Sequence, residues 1–356
     1  MAKIGFNNKP NPFSQSLKEK VDSYFENRKL NPTGNAPLFF KNVFLVSALI
    51  ANYIILVFFT PVFWIAIPLC IIMGVNLALI GFNVMHDGGH GSISKHKWVN
   101  GLSGYSLNLM GGNIHFWKMK HNISHHTYTN IEGEDHDINL KPFMRMSENQ
   151  PHRWFHKYQY VYWVFLYCLS YVMWVLYDDF QRYFTGKMGV GGDKHTFSVK
   201  EHFIFWGTKI FYLAAYIVLP IILLGVGKML VGYAIVSLVC GFAISIVFQL
   251  AHAVEITDFP LPDVSSQKIQ DEWAIHQINT TADFATKSLV WAWLLGGLNF
   301  QVEHHLFPRV SHVYYMKLRP LVKATCEEFG LTYNEYPSFR KALKSHLLHL
   351  KKLGSA

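Results

Sequence analysis

Histidines are frequent in this 356-residue chain, with nineteen in all, and their spacing is what could support chemistry. Three short stretches group them: "HDGGH" at residues 86–90, "HNISHH" at 121–126 and "QVEHH" at 301–305. Residues three or four apart share one face of a helix, so each stretch can point several imidazoles in one direction. Imidazole suits iron, zinc, copper and nickel alike. The grouping therefore predicts a metal centre without choosing its metal.

Two of the three stretches end in a histidine doublet, which indicates more than one metal. Adjacent side chains on a helix are turned about a third of a revolution apart, so a doublet can give one imidazole to each of two neighbouring metals. The predicted ligands from the three stretches are His86, His90, His121, His125, His126, His304 and His305.

Further candidate residues lie outside this set or beside it. His252 ends an apolar run, where an ionisable residue is a functional candidate by default, and it joins the predicted ligands. Gln301 and His276 stay outside the ligand set as candidates for direct or water-mediated contact with a metal, and no catalytic residue is predicted beyond the ligands. Asp87 and Glu303 are predicted to accept hydrogen bonds from free ring nitrogens of the ligands.

Other acids and single histidines carry weaker patterns. Asp135, Asp137 and Asp258 are also natural acceptors for ligand ring nitrogens, and their spacing does not rank them. Single histidines such as His115 and His195 are expected to be core or interfacial residues.

The elements that must position these histidines are apolar helices. The chain is 51% hydrophobic and 15% charged, which argues against a soluble protein. No charged residue lies between Lys41 and Asp87, and about 20 apolar residues cross a bilayer once. We therefore predict an all-α integral membrane protein in which four transmembrane helices form two hairpins beneath a cytoplasmic helical cap that carries the di-metal site. The predicted spans are about 43–59, 62–84, 203–226 and 229–251.

A fifth apolar run, residues 158–177, is predicted to lie at the membrane interface rather than to cross. Nine of its twenty residues are aromatic, and Tyr and Trp prefer the headgroup level. If this run crossed, the third histidine stretch would fall on the opposite side of the membrane from the first two. One site could not then form.

Charge predicts the orientation. Residues 1–41 carry seven Lys or Arg, whereas the hairpin turns carry only Lys228. The positive-inside rule places both termini and the histidines in the cytoplasm. The formal charge of +9 fits contact with anionic headgroups. Nucleic acid is excluded as a partner because the basic residues are scattered and lack a binding signature.

The three stretches resemble the three histidine boxes of the membrane fatty-acid desaturases. "LNFQVEHHLFP" resembles the branch whose third box opens with glutamine, which includes front-end acyl desaturases and bacterial relatives similar to linoleoyl-CoA desaturase. The resemblance runs from the first hairpin to about residue 335. We accordingly expect a cytoplasmic segment at 1–41, a desaturase domain at 42–335 and a basic amphipathic tail at 336–356, which is expected to form a solvated or membrane-surface helix.

The resemblance implies an activity and its cofactors. A non-haem di-iron centre, held by the eight predicted histidines, would use O2 and two electrons to insert a cis double bond into an acyl chain carried by CoA or a phospholipid. Two residues depart from the acyl-CoA branch: Gln301 replaces a ninth histidine, and Phe248 replaces an asparagine. The N-terminus lacks a haem-binding "HPGG" motif. An external donor is therefore expected, either a ferredoxin or a b-type cytochrome with its reductase.

Two alternatives remain open at the level of sequence. The same boxes would serve a di-iron hydroxylase or ketolase acting on a lipid or a carotenoid. A divalent-metal transporter could use histidines as relay ligands, although transporters usually place such ligands near the bilayer midplane. A bacterial inner membrane or the endoplasmic reticulum would suit the chain. The position of the double bond, the acyl carrier and the oligomeric state leave no motif.

Overall fold

A computed structural model describes residues 4–7, 12–188 and 194–355. Parts of the predicted N-terminal segment, and the last residue of the predicted tail, lie outside the described residues. The labelled helices are α1 (Pro12–Asn27), α2 (Ala36–Phe59), α3 (Phe63–His90), α4 (Lys97–Gly104), α5 (Ser106–Leu109), α6 (Ile114–Lys118), α7 (Trp154–Thr185), α8 (Val199–Leu224), α9 (Val226–His252), α10 (Trp273–Thr280), α11 (Leu289–Leu294), α12 (Gln301–Leu306), α13 (Tyr315–Glu328) and α14 (Phe339–Ser355). A π-helical segment, Met119–His125, and the short helix His126–Tyr128 follow directly after α6, and a 3-10 helix, His312–Tyr314, precedes α13.

The prediction of a mainly helical membrane protein is confirmed, since the described strands form only two short parallel pairs. Gly5–Phe6 pairs with Lys268–Ile269, and Asp283–Phe284 pairs with Glu335–Tyr336. Five helices are long and apolar enough to cross a membrane: α2, α3, α7, α8 and α9. The additional helix is α7, which contains the aromatic run, and the four-span count stays a prediction.

The helices of each hairpin are separated by backbone that cannot continue a helix. Thr60, with φ of 44°, ends α2, where the sequence predicts the first turn. In the second hairpin the predicted turn was at Lys228, but the break lies at Gly225. Its φ of 83° is a conformation that glycine adopts without strain. Helix α9 therefore begins earlier than predicted.

Helix α3 extends beyond the span predicted for it. The span was expected to end near residue 84, but the helix continues through a π-helical turn, Gly81–Met85, and includes both His86 and His90. Gly91 then ends it with φ of 77°. The first histidine stretch is thus rigidly attached to a candidate membrane helix.

Helix α9 packs between α3 and α7, and small residues make both contacts close. A Cβ added to Gly74 of α3 would lie 2.6 Å from the Val236 carbonyl oxygen. A Cβ added to Gly241 of α9 would lie 3.0 Å from the Tyr167 carbonyl oxygen of α7. These contacts position His252, the last residue of α9, relative to the other helices.

A buried ion pair connects α7 and α8. Lys209, the single charge in the third predicted span, is 3% exposed. Its Nζ donates to the Asp179 carboxylate at 2.9 Å and to the Gly111 and Val175 carbonyl oxygens at 2.7 Å each. The charge is therefore paired inside the protein and does not face lipid.

Helix α14 corrects the prediction for the C-terminal tail. The tail was expected to be a solvated or membrane-surface helix, but its apolar face packs on the hydrophobic core through Leu343, Leu347 and Leu350. His346 Nδ1 lies 2.6 Å from the Ala253 carbonyl oxygen. The apolar face of this helix is therefore covered by the protein itself.

Candidate metal centre

The three histidine stretches and His252 converge on one buried region. Four elements supply them: the end of α3, the π-helical turn Met119–His125 with the short helix after it, the end of α9, and α12. Nitrogen atoms in each of three groups lie within 4.8 Å of one another. These groups are His86/His90/His121/His304, His125/His252/His305 and His126/His304/His305.

The members of the His304/His305 doublet reach different groups as well as a shared one. His304 joins the first group of four, His305 joins His125 and His252, and both join His126 in the third group. The ring of His126 lies between the doublet members, with centroids 4.7 Å from His304 and 4.3 Å from His305. The arrangement can hold two metals side by side, because each doublet faces both positions.

The imidazoles are buried with nitrogens left unpaired. His86, His125, His304 and His305 are at most 2% exposed. Among the residues that the structure describes, several buried nitrogens have no hydrogen-bond partner: His86 Nδ1 and Nε2, His90 Nε2, His125 Nε2, His126 Nδ1, His304 Nε2 and His305 Nε2. Burying an unpaired polar atom is costly. Metal coordination would satisfy these atoms, so the residues present fit a metal site.

The protonation states also fit. Burial lowers the pKa of His121, His126, His304 and His305 well below the usual histidine value, and neighbouring imidazoles lower it further. These rings are therefore neutral near pH 7, which is the form that binds metals.

An aspartate orients His125. The His125 Nδ1 atom lies 3.1 Å from each carboxylate oxygen of Asp135 and 3.5 Å from Asp137. Burial alone would lower the pKa of His125, but the two carboxylates outweigh it and raise that pKa. A carboxylate on Nδ1 directs Nε2 toward the centre. Asp135 is the candidate acid that contacts a predicted ligand most directly.

Three other imidazoles are oriented by residues that the sequence pattern did not single out. His305 Nδ1 lies 2.7 Å from Gln277 Oε1, and His304 Nδ1 lies 3.2 Å from the Tyr315 hydroxyl. His252 Nδ1 lies 3.3 Å from the carbonyl oxygen of Thr280. These partners lie 11 to 28 residues away along the chain, so no local sequence pattern could predict them.

The two predicted acidic partners have different surroundings. Asp87 lies 3.7 Å from His86 Nδ1 and 2.8 Å from His312 Nδ1, so its main partner is a histidine outside the predicted set. The Tyr333 hydroxyl lies 2.8 Å from Glu303 Oε1 and 2.5 Å from Asp283 Oδ2, so its single hydrogen is shared between these two carboxyl groups. Glu303 was expected to accept from a ligand ring nitrogen, but its helix turns it toward this second network.

Gln301 lies in the centre and His276 lies outside the groups of converging histidines. The side-chain amide of Gln301 is 3.0 Å from His252 Nε2, and its Oε1 has no hydrogen-bond partner among the described residues. His276 packs against Phe6, with ring centroids 5.2 Å apart. The Phe248 ring lies 6.2 Å from the His121 ring, so an apolar surface borders the centre there.

A cavity of about 560 Å³ lies at the opposite ends of the helices from the histidines. It is lined mainly by apolar residues of α2, α3, α8 and α9. The polar residues Thr60 and Lys228 also line it. The helices α3 and α9 carry their histidines at their other ends. An acyl chain must reach the histidines to react, so this cavity alone does not form the substrate site.

Comparison with known proteins agrees with this geometry. Residues 62–337 match the family model described as fatty acid desaturase. A protein of Arthrospira platensis, named sn-1 linoleoyl-lipid 6-desaturase, is 34% identical over 96% of this chain and 92% of its own length. A protein of Synechocystis with the same name is 34% identical over 97% and 96%.

A third relative is longer. The acyl-lipid (8-3)-desaturase of Physcomitrium patens is 37% identical over 95% of this chain and 71% of its own length. The family match covers most of the chain, and the buried histidine groups lie within it. The chain therefore belongs to the fatty acid desaturase family and is a multi-pass membrane enzyme that desaturates fatty acyl chains.

Proposed function

We propose that this enzyme is a di-iron desaturase that inserts a cis double bond into an acyl chain esterified to a membrane lipid. The observation that carries the proposal is the set of converging buried histidine groups, in which six of the histidines have a nitrogen without a hydrogen-bond partner among the described residues: His86, His90, His125, His126, His304 and His305. One iron would be held by His86, His90, His121 and His304, and the other by His125, His126, His252 and His305. Gln301 would act beside His252, directly or through a water.

Iron is the metal that fits the reaction. An unactivated methylene has no proton acidic enough for side-chain bases, so the reaction needs a redox metal. When bound, two irons with O2 and two electrons would supply the oxidising power to remove one hydrogen from each of two adjacent carbons. With two further protons from solution, the two oxygen atoms leave as two molecules of water.

The protein's own residues would hold the metals, orient the imidazoles and shield the site from water. Asp135, Gln277 and Tyr315 fix imidazole orientation through the nitrogens that face away from the centre. The Trp117 ring stacks on His121 with centroids 4.5 Å apart and also contacts His86. This apolar cover would exclude bulk water from one side of the site. Selectivity for one carbon pair would follow from how the chain is positioned.

An acyl-lipid substrate is supported by the names of the relatives. The two cyanobacterial proteins are named as acting on linoleoyl-lipid, and this chain aligns over nearly all of their length. An acyl chain already in the bilayer would reach a site at the ends of the membrane helices with little transfer cost.

Four spans with a cytoplasmic site remain our proposed topology, with the desaturase domain at 42–335. Helix α7 contacts elements beside the histidines at two places along its length, which supports a helix that does not cross. Near its start, Gln159 donates to the Leu350 carbonyl oxygen of α14. Farther along, well before the helix ends at Thr185, Trp174 packs against the cluster that contains Met85 and Trp117. The basic segments support the cytoplasmic placement, in a bacterial inner membrane or the endoplasmic reticulum.

Electrons would arrive from a separate carrier, a ferredoxin or a b-type cytochrome with its reductase. The net charge of +9 supports docking of an acidic carrier, since complementary charge speeds encounter.

The test is product analysis after expression of the full chain in a host of simple fatty-acid composition. Saturated, mono-unsaturated and di-unsaturated acids are supplied, and new double bonds are located in separated lipid classes by gas chromatography–mass spectrometry. We expect a new double bond that appears first in intact lipids and is absent from the His304→Ala/His305→Ala variant. A hydroxylated chain as the sole product would refute desaturation. First appearance in the acyl-CoA pool would refute the lipid carrier.

A further inference from the structure

A second cluster of metal-binding side chains lies apart from the eight histidines. It consists of His115, His195 and Glu201, and none of the three belongs to the groups described above. His115 lies in α6, His195 lies in the connection between α7 and α8, and Glu201 lies in the first turn of α8. His195 and Glu201 are near in sequence, and His115 meets them from 80 residues earlier. We call the three residues the α6–α8 cluster.

The distances in the α6–α8 cluster match those around a tetrahedral metal. His115 Nε2 lies 3.3 Å from His195 Nε2 and 2.9 Å from Glu201 Oε1, and His195 Nε2 lies 3.3 Å from the same oxygen. Tetrahedral zinc has ligand bonds of about 2.0 to 2.2 Å, so its ligand atoms lie about 3.3 to 3.5 Å apart. The observed triangle is close to one face of such a tetrahedron.

The other contacts hold these side chains in place and leave the inner atoms free to bind. Glu201 uses its second oxygen, Oε2, to accept hydrogen bonds from the Ser198 backbone N–H and hydroxyl at 2.7 and 2.8 Å. Asn113 caps α6 by accepting from the His115 backbone N–H. The His195 backbone N–H donates to the Gly186 carbonyl oxygen at 2.8 Å. The ligand atoms are therefore held at their positions by contacts that a metal would not disturb.

Burial and charge suit a divalent cation with a solvent ligand. The three side chains are 35%, 26% and 22% exposed, in the order His115, His195 and Glu201, so water can reach a fourth position. Burial lowers the pKa of His115, which keeps that ring neutral near pH 7. Lys118 is a nearby positive charge that opposes a cation, and the Glu201 carboxylate offsets it.

We propose that the α6–α8 cluster is a zinc site with two imidazole ligands, one carboxylate ligand and a water. The zinc ties the start of α8 to the helical stretch that leads into the second histidine stretch. The plain alternative is a hydrogen-bonded cluster in which both rings donate to Glu201. The two possibilities can be separated with the variant His195→Cys: its sulfur would bind zinc only if residue 195 is a zinc ligand.

The experiment uses the full chain, purified in detergent without a polyhistidine tag and loaded with iron before Zn²⁺ is added. Zinc binding is measured by equilibrium dialysis with metal analysis, and ligation by zinc X-ray absorption. We expect one zinc per chain in addition to the iron. His195→Ala should weaken zinc binding by at least about tenfold, because even partners of metal ligands contribute that much.

His195→Cys separates a ligand role from a structural one. It should retain zinc and show one sulfur at about 2.3 Å in place of one nitrogen at about 2.0 Å. His202→Ala is the matched control, since that histidine lies one position after Glu201 and bonds to Tyr183 instead. It should bind zinc as the wild type does. Equal zinc binding by wild type and His195→Ala, or no sulfur in His195→Cys, would leave a hydrogen-bonded cluster only and overturn the proposal. Unchanged iron content shows that each variant is folded.

Discussion

Gly74→Ala tests whether the contact between α3 and α9 positions the metal-binding ends of both helices. The added Cβ would lie 2.6 Å from the Val236 carbonyl oxygen and 2.8 Å from Val239 Cβ, whereas ordinary contact begins at 3.4 Å. To recover that distance from the carbonyl oxygen, 3.4 minus 2.6, the helices must separate locally by 0.8 Å. Overpacking of this kind costs about 1–3 kcal/mol, which exceeds the gain of about 1 kcal/mol in helix propensity from glycine to alanine.

The separation should also reduce activity, because α3 carries His86 and His90 and α9 carries His252. A displacement of about 1 Å at a reacting centre can cost about a hundredfold in rate. The assay is thermal unfolding of the purified protein together with the rate of double-bond formation. We expect a lower unfolding temperature and at least about a tenfold loss of rate.

Gly232→Ala is the matched control, since its Cβ would face α3 from α9 at 3.7 Å from Cys70 Sγ, an ordinary contact. It should be neutral or stabilising. If Gly74→Ala behaved like Gly232→Ala in both assays, the claim that close packing of α3 on α9 aligns the histidines would be refuted.

Three further predictions concern charges and metal. Asp179→Leu should cost about 3–5 kcal/mol of unfolding free energy, because it leaves the Lys209 charge buried and unpaired. The Asp179→Leu/Lys209→Met double variant should recover part of that loss. If chemical denaturation gave the same loss for the single and the double variant, the ion pair would be contradicted. Asp135→Asn should lower metal affinity or desaturation about 10- to 100-fold by disturbing His125. Tyr315→Phe, which removes only a neutral hydrogen-bond acceptor for the His304 Nδ1–H, should cost less, and the reverse order in iron titrations would contradict the geometry. Removing the metal with a chelator should lower the unfolding temperature, since a ligand at about a thousand times its Kd stabilises by about 4 kcal/mol, and unchanged melting would count against a buried centre.

Local spacing was enough to predict which histidines of the three stretches meet. His304 and His305 are adjacent on a short helix with 3.6 residues per turn, so their side chains diverge: His304 also joins the group of four, and His305 also joins His125 and His252. The division of each doublet between two metals stays a prediction. The long apolar runs likewise predicted the helices, because their composition satisfies a membrane core without help from the rest of the fold.

The contacts that tertiary packing creates could not be predicted in this way. Gln277 meets His305 across 28 positions, and Asp179 meets Lys209 across 30, so neither pair leaves a local pattern. His115 and His195 each looked like a single core or interfacial histidine, because their partner lies 80 residues away. The predicted end of α3 was too early for a different reason. The apolar run marks only the membrane span, whereas the helical backbone continues beyond it to His90.

The most direct test of the metal centre is the number of irons per chain in the wild type, His305→Ala and His276→Ala. The full chain is loaded anaerobically with ferrous iron, freed of excess metal and measured by metal analysis. We predict two irons per chain in the wild type and in His276→Ala, because His276 lies outside the histidine groups, and fewer than two in His305→Ala. A single iron in the wild type, or full iron content in His305→Ala, would contradict the di-iron centre.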